Sequence, residues 1–359
     1  HALLLPGDPV LDAFAEQWLR RAMAAVSRER RGRCAARRVE AASHIRARVP
    51  GAAEWPAYFA RNSRSFRFAA RFLPAAEAER VARVYAYCRV TDDLVDRPVD
   101  GAAPWLERVL DEWVELSRRA YEGRATGLDL LDRAMGEMAS AGVPFRYAAE
   151  LAEGMRMDLR RQAYADTGEL RTYTYRVASV VGLWLTELSG VHDPPTLRRA
   201  AAMGHAMQLT NILRDVGEDR RAGRLYLPAD RLRAHGVTVE EIDRTLAGAA
   251  PVSTRYAALV AELMRGAEAE YALGFAAIPR LPRWFQAPVA VAAHVYRAIH
   301  GSIRRNGCDN LRLRARTGPA VKALAAVQAM WDLRRARGAL AAGFELEPSE
   351  ALVAWSPAP

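Results

Sequence analysis

Two acidic strips in this chain have the residue types and the spacing to hold a hard cation. In Gln208-Leu-Thr-Asn-Ile-Leu-Arg-Asp-Val-Gly-Glu-Asp219, the polar residues Gln208, Asn211, Asp215 and Asp219 recur at i, i+3, i+7 and i+11. At 3.6 residues per turn, these short oxygen-bearing side chains fall on one helix face. Their neighbours Ala206, Met207, Leu209, Ile212, Leu213 and Val216 are apolar, unlike those of a solvated face. The second strip lies in Tyr85–Asp96, where Tyr85, Arg89, Asp92 and Asp96 share a face, with Asp93 beside them. Like charges one turn apart destabilise an isolated helix, and carboxylates at a helix C-terminus oppose its dipole. Bound divalent cations would offset both effects. Mg²⁺, or Mn²⁺ in its place, suits such a ligand set, because it keeps several waters and takes one or two carboxylates plus substrate phosphates. A lone Asp-Asp-x-x-Asp is most often a solvated patch. Two strips among apolar residues favour metal binding and leave the chemistry open.

Helices must position these strips. Apolar residues recur at helical spacing and Ala, Leu, Arg and Glu dominate, whereas alternating β-branched runs with Asn-Gly turns are missing. The pattern predicts an all-α fold with helices at Phe66–Leu73, Ala76–Asp96, Pro104–Tyr121, Asp129–Ala141 and Phe145–Tyr164. Leu170–Ser189 follows, then a long helix from Pro194-Pro195 to the second strip, and further helices at Thr254–Ile278, Gln286–Asn306 and Pro319–Gly338. Asn62 or Ser63 is the N-cap expected before Phe66. The small residues Ala178, Ser179 and Gly182 allow a close helix crossing or leave room for a ligand. Residues 1–50 read as an Arg-rich helical extension, solvated rather than packed, 51–340 as one compact domain and 341–359 as a tail.

Composition narrows the partners. The 359 residues are 51% apolar and 26% charged, which is ordinary for a globular protein. The net charge of +10 comes almost wholly from Arg, Lys322 being the single lysine. The basic residues are scattered except for six arginines between Arg28 and Arg38, and no nucleic-acid motif accompanies them. Such a surface favours an anionic membrane or a diphosphate over nucleic acid. Cys34, Cys88 and Cys308 offer neither a disulfide framework nor metal-ligand spacing and fit a reducing cytoplasm. No apolar run reaches the ~18 residues of a membrane span.

Taken together, these segments resemble the squalene/phytoene synthase family of head-to-head prenyl transferases, nearest to its bacterial phytoene-forming branch. The resemblance is carried by Asn62-Ser-Arg-Ser-Phe66, Tyr87–Asp96, Gly154-Met-Arg-Met-Asp158, Tyr173–Gly182, Gln208–Pro228 and Ala292–Asn306, in order along most of the chain. It implies an isoprenoid-synthase helical bundle with a central tunnel. It also implies condensation of two geranylgeranyl diphosphates to phytoene through prephytoene diphosphate, with release of diphosphate. Metals would be held by Asp92, Asp93 and Asp96 on one wall and by Asn211, Asp215 and Asp219 on the other. Ser63, Arg64 and Ser65 would form a flap over a diphosphate. Arg89, Gln208, Arg214, Arg224 and Tyr226 would bind it, since the planar fork of Arg matches phosphate oxygens. Tyr173 would stand at the reaction centre and assist proton removal, and Tyr296 would line the pocket. No NADPH is expected. Partners would be prenyl diphosphates, a membrane touched peripherally through exposed apolar and Arg-rich helix surfaces, and other carotenoid-pathway enzymes. Ser179 stands where many members have Gly, which leaves the tightness of that crossing open.

Three other readings fit some of these residues. Dehydrosqualene, squalene or hydroxysqualene synthases run the same chemistry on farnesyl diphosphate. A terpene cyclase or head-to-tail prenyl transferase would share Asp92-Asp93-x-x-Asp96, but not Gln208, the flap serines or the Arg224-Leu-Tyr-Leu-Pro228 loop. A non-catalytic scaffold of the same fold would be expected to lose the acidic residues.

Overall fold

The computed structural model describes residues 38–51, 54, 68–95, 103–160 and 163–341. Among these there are twelve long or short α-helices from residue 75 onward and no strand, only one isolated parallel bridge between Ala163 and Leu225. In chain order they are α1 (Ala75–Asp93), α2 (Ala103–Tyr121), α3 (Asp129–Ser140), α4 (Arg146–Arg160), α5 (Thr167–Thr174), α6 (Val180–Leu188) and α7 (Pro194–Arg221). They continue as α8 (Ala229–Ala234), α9 (Val239–Leu246), α10 (Thr254–Ala277), α11 (Arg283–Arg305) and α12 (Pro319–Ala341). The helices expected from Ala76 onward are present with ends shifted by a few residues, apart from Leu170–Ser189, while the expected Phe66–Leu73 begins outside the described residues and is helical at 68–70.

The bundle is built around α7. Its N-terminus is fixed by Asp193, whose carboxylate accepts from Thr196 N at 3.0 Å, with Pro194 and Pro195 in the first turn. Its C-terminus closes at Gly223, where φ is +80°. There Arg224 N donates to Asp219 O at 2.8 Å and Gly223 N donates to Arg220 O at 3.0 Å. This glycine-dependent stop aims Arg224 back along the helix end. Around α7 pack α10, α11, α6 and the segment Tyr175–Ser179.

That segment is the main departure from the expected elements. Leu170–Ser189 was expected to form one helix, but Tyr175–Ser179 is a π-helical turn between α5 and α6. It crosses α7 at Gly204, where an added Cβ would stand 2.6 Å from Ser179 Cα. The crossing is therefore tight although one partner is Ser179. The space comes from Gly204, and the Ser179 hydroxyl donates to Ala201 O at 2.7 Å. π-turns of this kind bulge a helix to meet a neighbour and are frequent at functional sites.

The segment at 38–46, read from sequence as solvated, is helical and packed. Ala41 and Ile45, one turn apart, are buried in the core cluster that contains Leu106, Val109 and Trp113 of α2. Arg38 Nε bonds Glu112 Oε2 at 2.8 Å, and the His44 ring meets Trp105 edge-on.

Candidate active site

A cavity of about 280 Å³ runs between α1, α6, α7 and α11. Its walls are almost wholly apolar, with Ala200, Met203, Gly204 and Met207 from α7 and Phe285, Val289 and Ala292 from α11. Tyr85 and Cys88 of α1 and Gln208 and Asn211 of α7 also line it, as does Tyr296. Tyr85, Cys88, Gln208 and Asn211 carry a geometric consequence. Asp92 follows Tyr85 and Cys88 by seven and four residues, and Asp215 follows Gln208 and Asn211 by the same steps. Each carboxylate therefore continues a cavity-lining helix face by one further turn. Both acidic strips thus continue helix faces that line one apolar cavity, beyond its Cys88 and Asn211 end.

At that end the carboxylates are held by arginines. Arg89 bridges Asp92 at 2.7 Å and Asp93 at 2.5 Å. The like charges that seemed to require cations are thus already offset in part by Arg89. Arg214 forks onto both oxygens of Asp215, its Nε at 2.8 Å from Oδ1. Arg314 reaches the same Oδ1 at 2.9 Å and Glu218 at 3.1 Å. Among the described residues Asp219 has no such clamp. Burial is the main cause that pushes its carboxyl up to about 7, with Asp215, Asp158 and Glu218 adding repulsion and Arg224 opposing them. Asn211 Oδ1 is buried without a hydrogen-bond partner, while its amide donates to Gln208 at 3.3 Å. Arg224 Nε is likewise buried and unpartnered.

This donor set fits a hard cation. It is all oxygen, one carbonyl is orphaned, and the raised Asp219 would be relieved by positive charge. Among the described residues, no three His, Cys, Asp or Glu side chains are already gathered as a metal cluster. Asp96 and the flap residues Ser63, Arg64 and Ser65, with the cap candidate Asn62, lie outside the described residues.

Beside the acidic end stands a group of three tyrosines around one carboxylate. Tyr173 Oη donates to Asp158 Oδ2 at 3.0 Å and Tyr226 Oη donates to Asp158 Oδ1 at 2.7 Å. The rings of Tyr164, Tyr173 and Tyr226 pack mutually at 5.1–5.7 Å between centroids. Burial, and then the Asp158 charge, raise both phenols well above the ordinary tyrosine value. Burial thus holds the Tyr173 phenol in its protonated form, with the Asp158 carboxylate behind it. Tyr226 reaches this place because Ala229 N and Asp230 N donate to Tyr164 O and Ala165 O, each at 3.0 Å. Those bonds lay the loop after α7 along residues 163–165.

Sequence reading missed three contributors. Asp158 stood in a quoted segment without a role. Arg314 has no motif around it. Asn310 braces α7 between its ligands: its Nδ2 donates to Leu213 O at 2.6 Å and its carbonyl accepts from Gly217 N at 3.2 Å. Tyr256 Oη fixes it by donating to its Oδ1 at 2.6 Å. Gly217 was the available signal, because a glycine inside a long helix costs about 1 kcal/mol and asks for a packing reason.

Comparison with known proteins shows the family. The squalene/phytoene synthase family model matches residues 59–320. The chain belongs to the squalene/phytoene synthase family. It is 35% identical over 267 residues to a phytoene synthase of Cereibacter sphaeroides, covering 71% of this chain and 72% of that one. It is 36% identical over 255 residues to a phytoene synthase of Thermus thermophilus, covering 71% and 83%. A 15-cis-phytoene synthase of a Paracoccus species is 32% identical over 284 residues, covering 77% and 89%. Among solved structures, a dehydrosqualene synthase in complex with ligand superposes with a TM-score of 0.69 at 28% identity, covering 82% of this chain and 98% of that one. A squalene synthase from Alicyclobacillus acidocaldarius shares the fold, with a TM-score of 0.64 at 24% identity over 75% of this chain and 96% of that one. As a member of this family the protein is a prenyl transferase with an isoprenoid-synthase helical fold.

Proposed function

We propose that this family member is a phytoene synthase, joining two geranylgeranyl diphosphates head to head and releasing diphosphate. One observation carries the choice of chain length. The cavity runs along α7 from Asn211 to Thr196, fifteen residues or about 22 Å of helix. That suits an extended chain of four isoprene units, whereas a three-unit chain would leave its far end unfilled at a cost in contacts. The naming of the relatives as phytoene synthases supports the same reading.

In this reading the hydrocarbon lies in the cavity and the diphosphate lies against the arginines of the acidic end. Asp92, Asp93 and Asp96 on one side and Asn211, Asp215 and Asp219 on the other would hold Mg²⁺. When bound, it supplies positive charge against the departing diphosphate. Arg89, Arg214 and Arg224 add to that charge. The apolar walls keep water from the allylic cation, so that the second chain's double bond is its nucleophile. Loss of a proton from the cation so formed closes the cyclopropyl diphosphate, which ionises in turn, and loss of a second proton completes the central double bond. Tyr173 orients that region, with Asp158 as the anion to which a proton arriving at its oxygen passes. A second reading, a dehydrosqualene synthase using farnesyl diphosphate, is favoured by the superposed dehydrosqualene synthase.

Thr196 separates the two. It is fully buried at the cavity's far end. Thr196→Phe should fill that end and shift the preference toward farnesyl diphosphate by about tenfold or more, read as C30 against C40 product from the two diphosphates offered together. An unshifted ratio in a variant of unaltered thermal midpoint would contradict the C20 assignment.

A further inference from the structure

Helix α12 is apolar on two opposite faces, and only one of them is packed. Ala325, Ala329 and Leu333 are buried at i, i+4 and i+8, in the cluster that holds Ala290, Val291 and Phe285 of α11. On the far side Leu324, Val327 and Trp331 fall at i, i+3 and i+7 and are 58%, 67% and 63% exposed. Large apolar side chains clustered on an exposed face mark an interaction surface, so this stripe calls for a partner.

Charge identifies its chemistry. The outward face continues past Trp331 into Arg334 and Arg335, both exposed. The one acid on α12, Asp332, bonds His294 Nε2 at 3.0 Å on the packed side. A stripe of Leu, Val and Trp that runs into arginines is the pattern of a helix lying in a bilayer interface with anionic headgroups. A second copy of the chain is a weaker occupant. Three side chains offer a few hundred Å² at most, against about 800 Å² per partner in a stable dimer.

The position of α12 strengthens the assignment. Arg337 Nε donates to Gln286 Oε1 at 2.7 Å. Gln286 sits beside Phe285, and its amide donates to Leu281 O at 2.6 Å. Phe285 and Leu281 both line the cavity. The arginine-bearing half of α12 thus lies over the cavity wall. Among the described residues no helix is long and apolar enough to cross a membrane. We infer that the outward face of α12, through Leu324, Val327, Trp331, Arg334 and Arg335, docks the protein in the plane of an anionic lipid surface. That this brings a hydrocarbon product to the bilayer rests on the function proposed above, but the docking itself does not.

Flotation of the full chain, without substrate, tests the docking on phosphatidylcholine vesicles with and without phosphatidylglycerol. The wild type should float with the anionic vesicles. V327E/W331E should lose that binding by tenfold or more, with W331S losing part of it. R334E/R335E should lose the preference for anionic lipid. Thermal midpoints near that of the wild type should accompany all three, because the residues are exposed. Wild-type protein remaining at the bottom of the gradient overturns the inference, as does V327E/W331E floating undiminished. So does a dimer, seen by size exclusion without lipid, that W331S abolishes while flotation is unaffected. Product formation is assayed separately, so loss of activity and loss of docking are told apart.

Discussion

Replacing Asp215 by Asn will cost this enzyme about a thousandfold in turnover, the scale of losing one preorganised charge at a reacting centre, and its helices will survive. Asp215 continues the cavity-lining face of α7 and accepts from both Arg214 and Arg314. The substitution keeps the shape and removes the charge. Two arginines then face a neutral amide, and, on the function proposed above, a bound cation loses its central ligand on that wall. The site is partly solvated, so the penalty for the unpaired arginines stays modest, and far-ultraviolet circular dichroism should be unchanged. Turnover by Asp215→Asn within tenfold of the wild type would defeat the reading of two facing acidic walls.

The second large effect is predicted at a residue that touches no substrate. A Cβ at position 217 would stand 1.9 Å from Leu311 O and 2.7 Å from Leu311 C. Both are backbone atoms, so no side chain can swing away. Ala is the better helix former by about 1 kcal/mol, but that gain is outweighed. The crossing segment must retreat and give up the Asn310 bonds to Leu213 O and Gly217 N. Overpacking costs about 1–3 kcal/mol, occasionally more, and a loss near 3 kcal/mol lowers the thermal midpoint of a chain this long by roughly 4 °C. Arg314, on the same segment, is drawn away from Asp215, so activity should fall as well. Gly217→Ala with unaltered melting and turnover would show that segment 310–314 does not brace α7.

Those two residues also mark how far the sequence was legible. The strip on α7 could be read because 3.6-residue periodicity places Gln208, Asn211 and Asp215 on one face whatever the tertiary structure does. The helices themselves were legible for the same reason. The arginine partners were not. Arg214 is adjacent in sequence, yet its fork onto Asp215 depends on a rotamer, and Arg314 arrives only through a chain reversal after α11. That reversal uses Gly307 and Cys308 at φ +66° and +61°, and no periodicity encodes it. Asp158 was hidden for another reason: its meaning comes from Tyr173 and Tyr226, fifteen and sixty-eight residues away. The π-turn at Tyr175–Ser179 was invisible because its cause, Gly204, lies on a different helix.

The most direct measurement is the product itself. Purified protein would be given geranylgeranyl diphosphate and Mg²⁺, with no nicotinamide cofactor, and the organic extract analysed by mass and absorbance. The account predicts a C40 hydrocarbon with a central conjugated triene, formed with diphosphate release and abolished by EDTA. No C40 hydrocarbon from geranylgeranyl diphosphate, with a C30 product formed from farnesyl diphosphate, would contradict it.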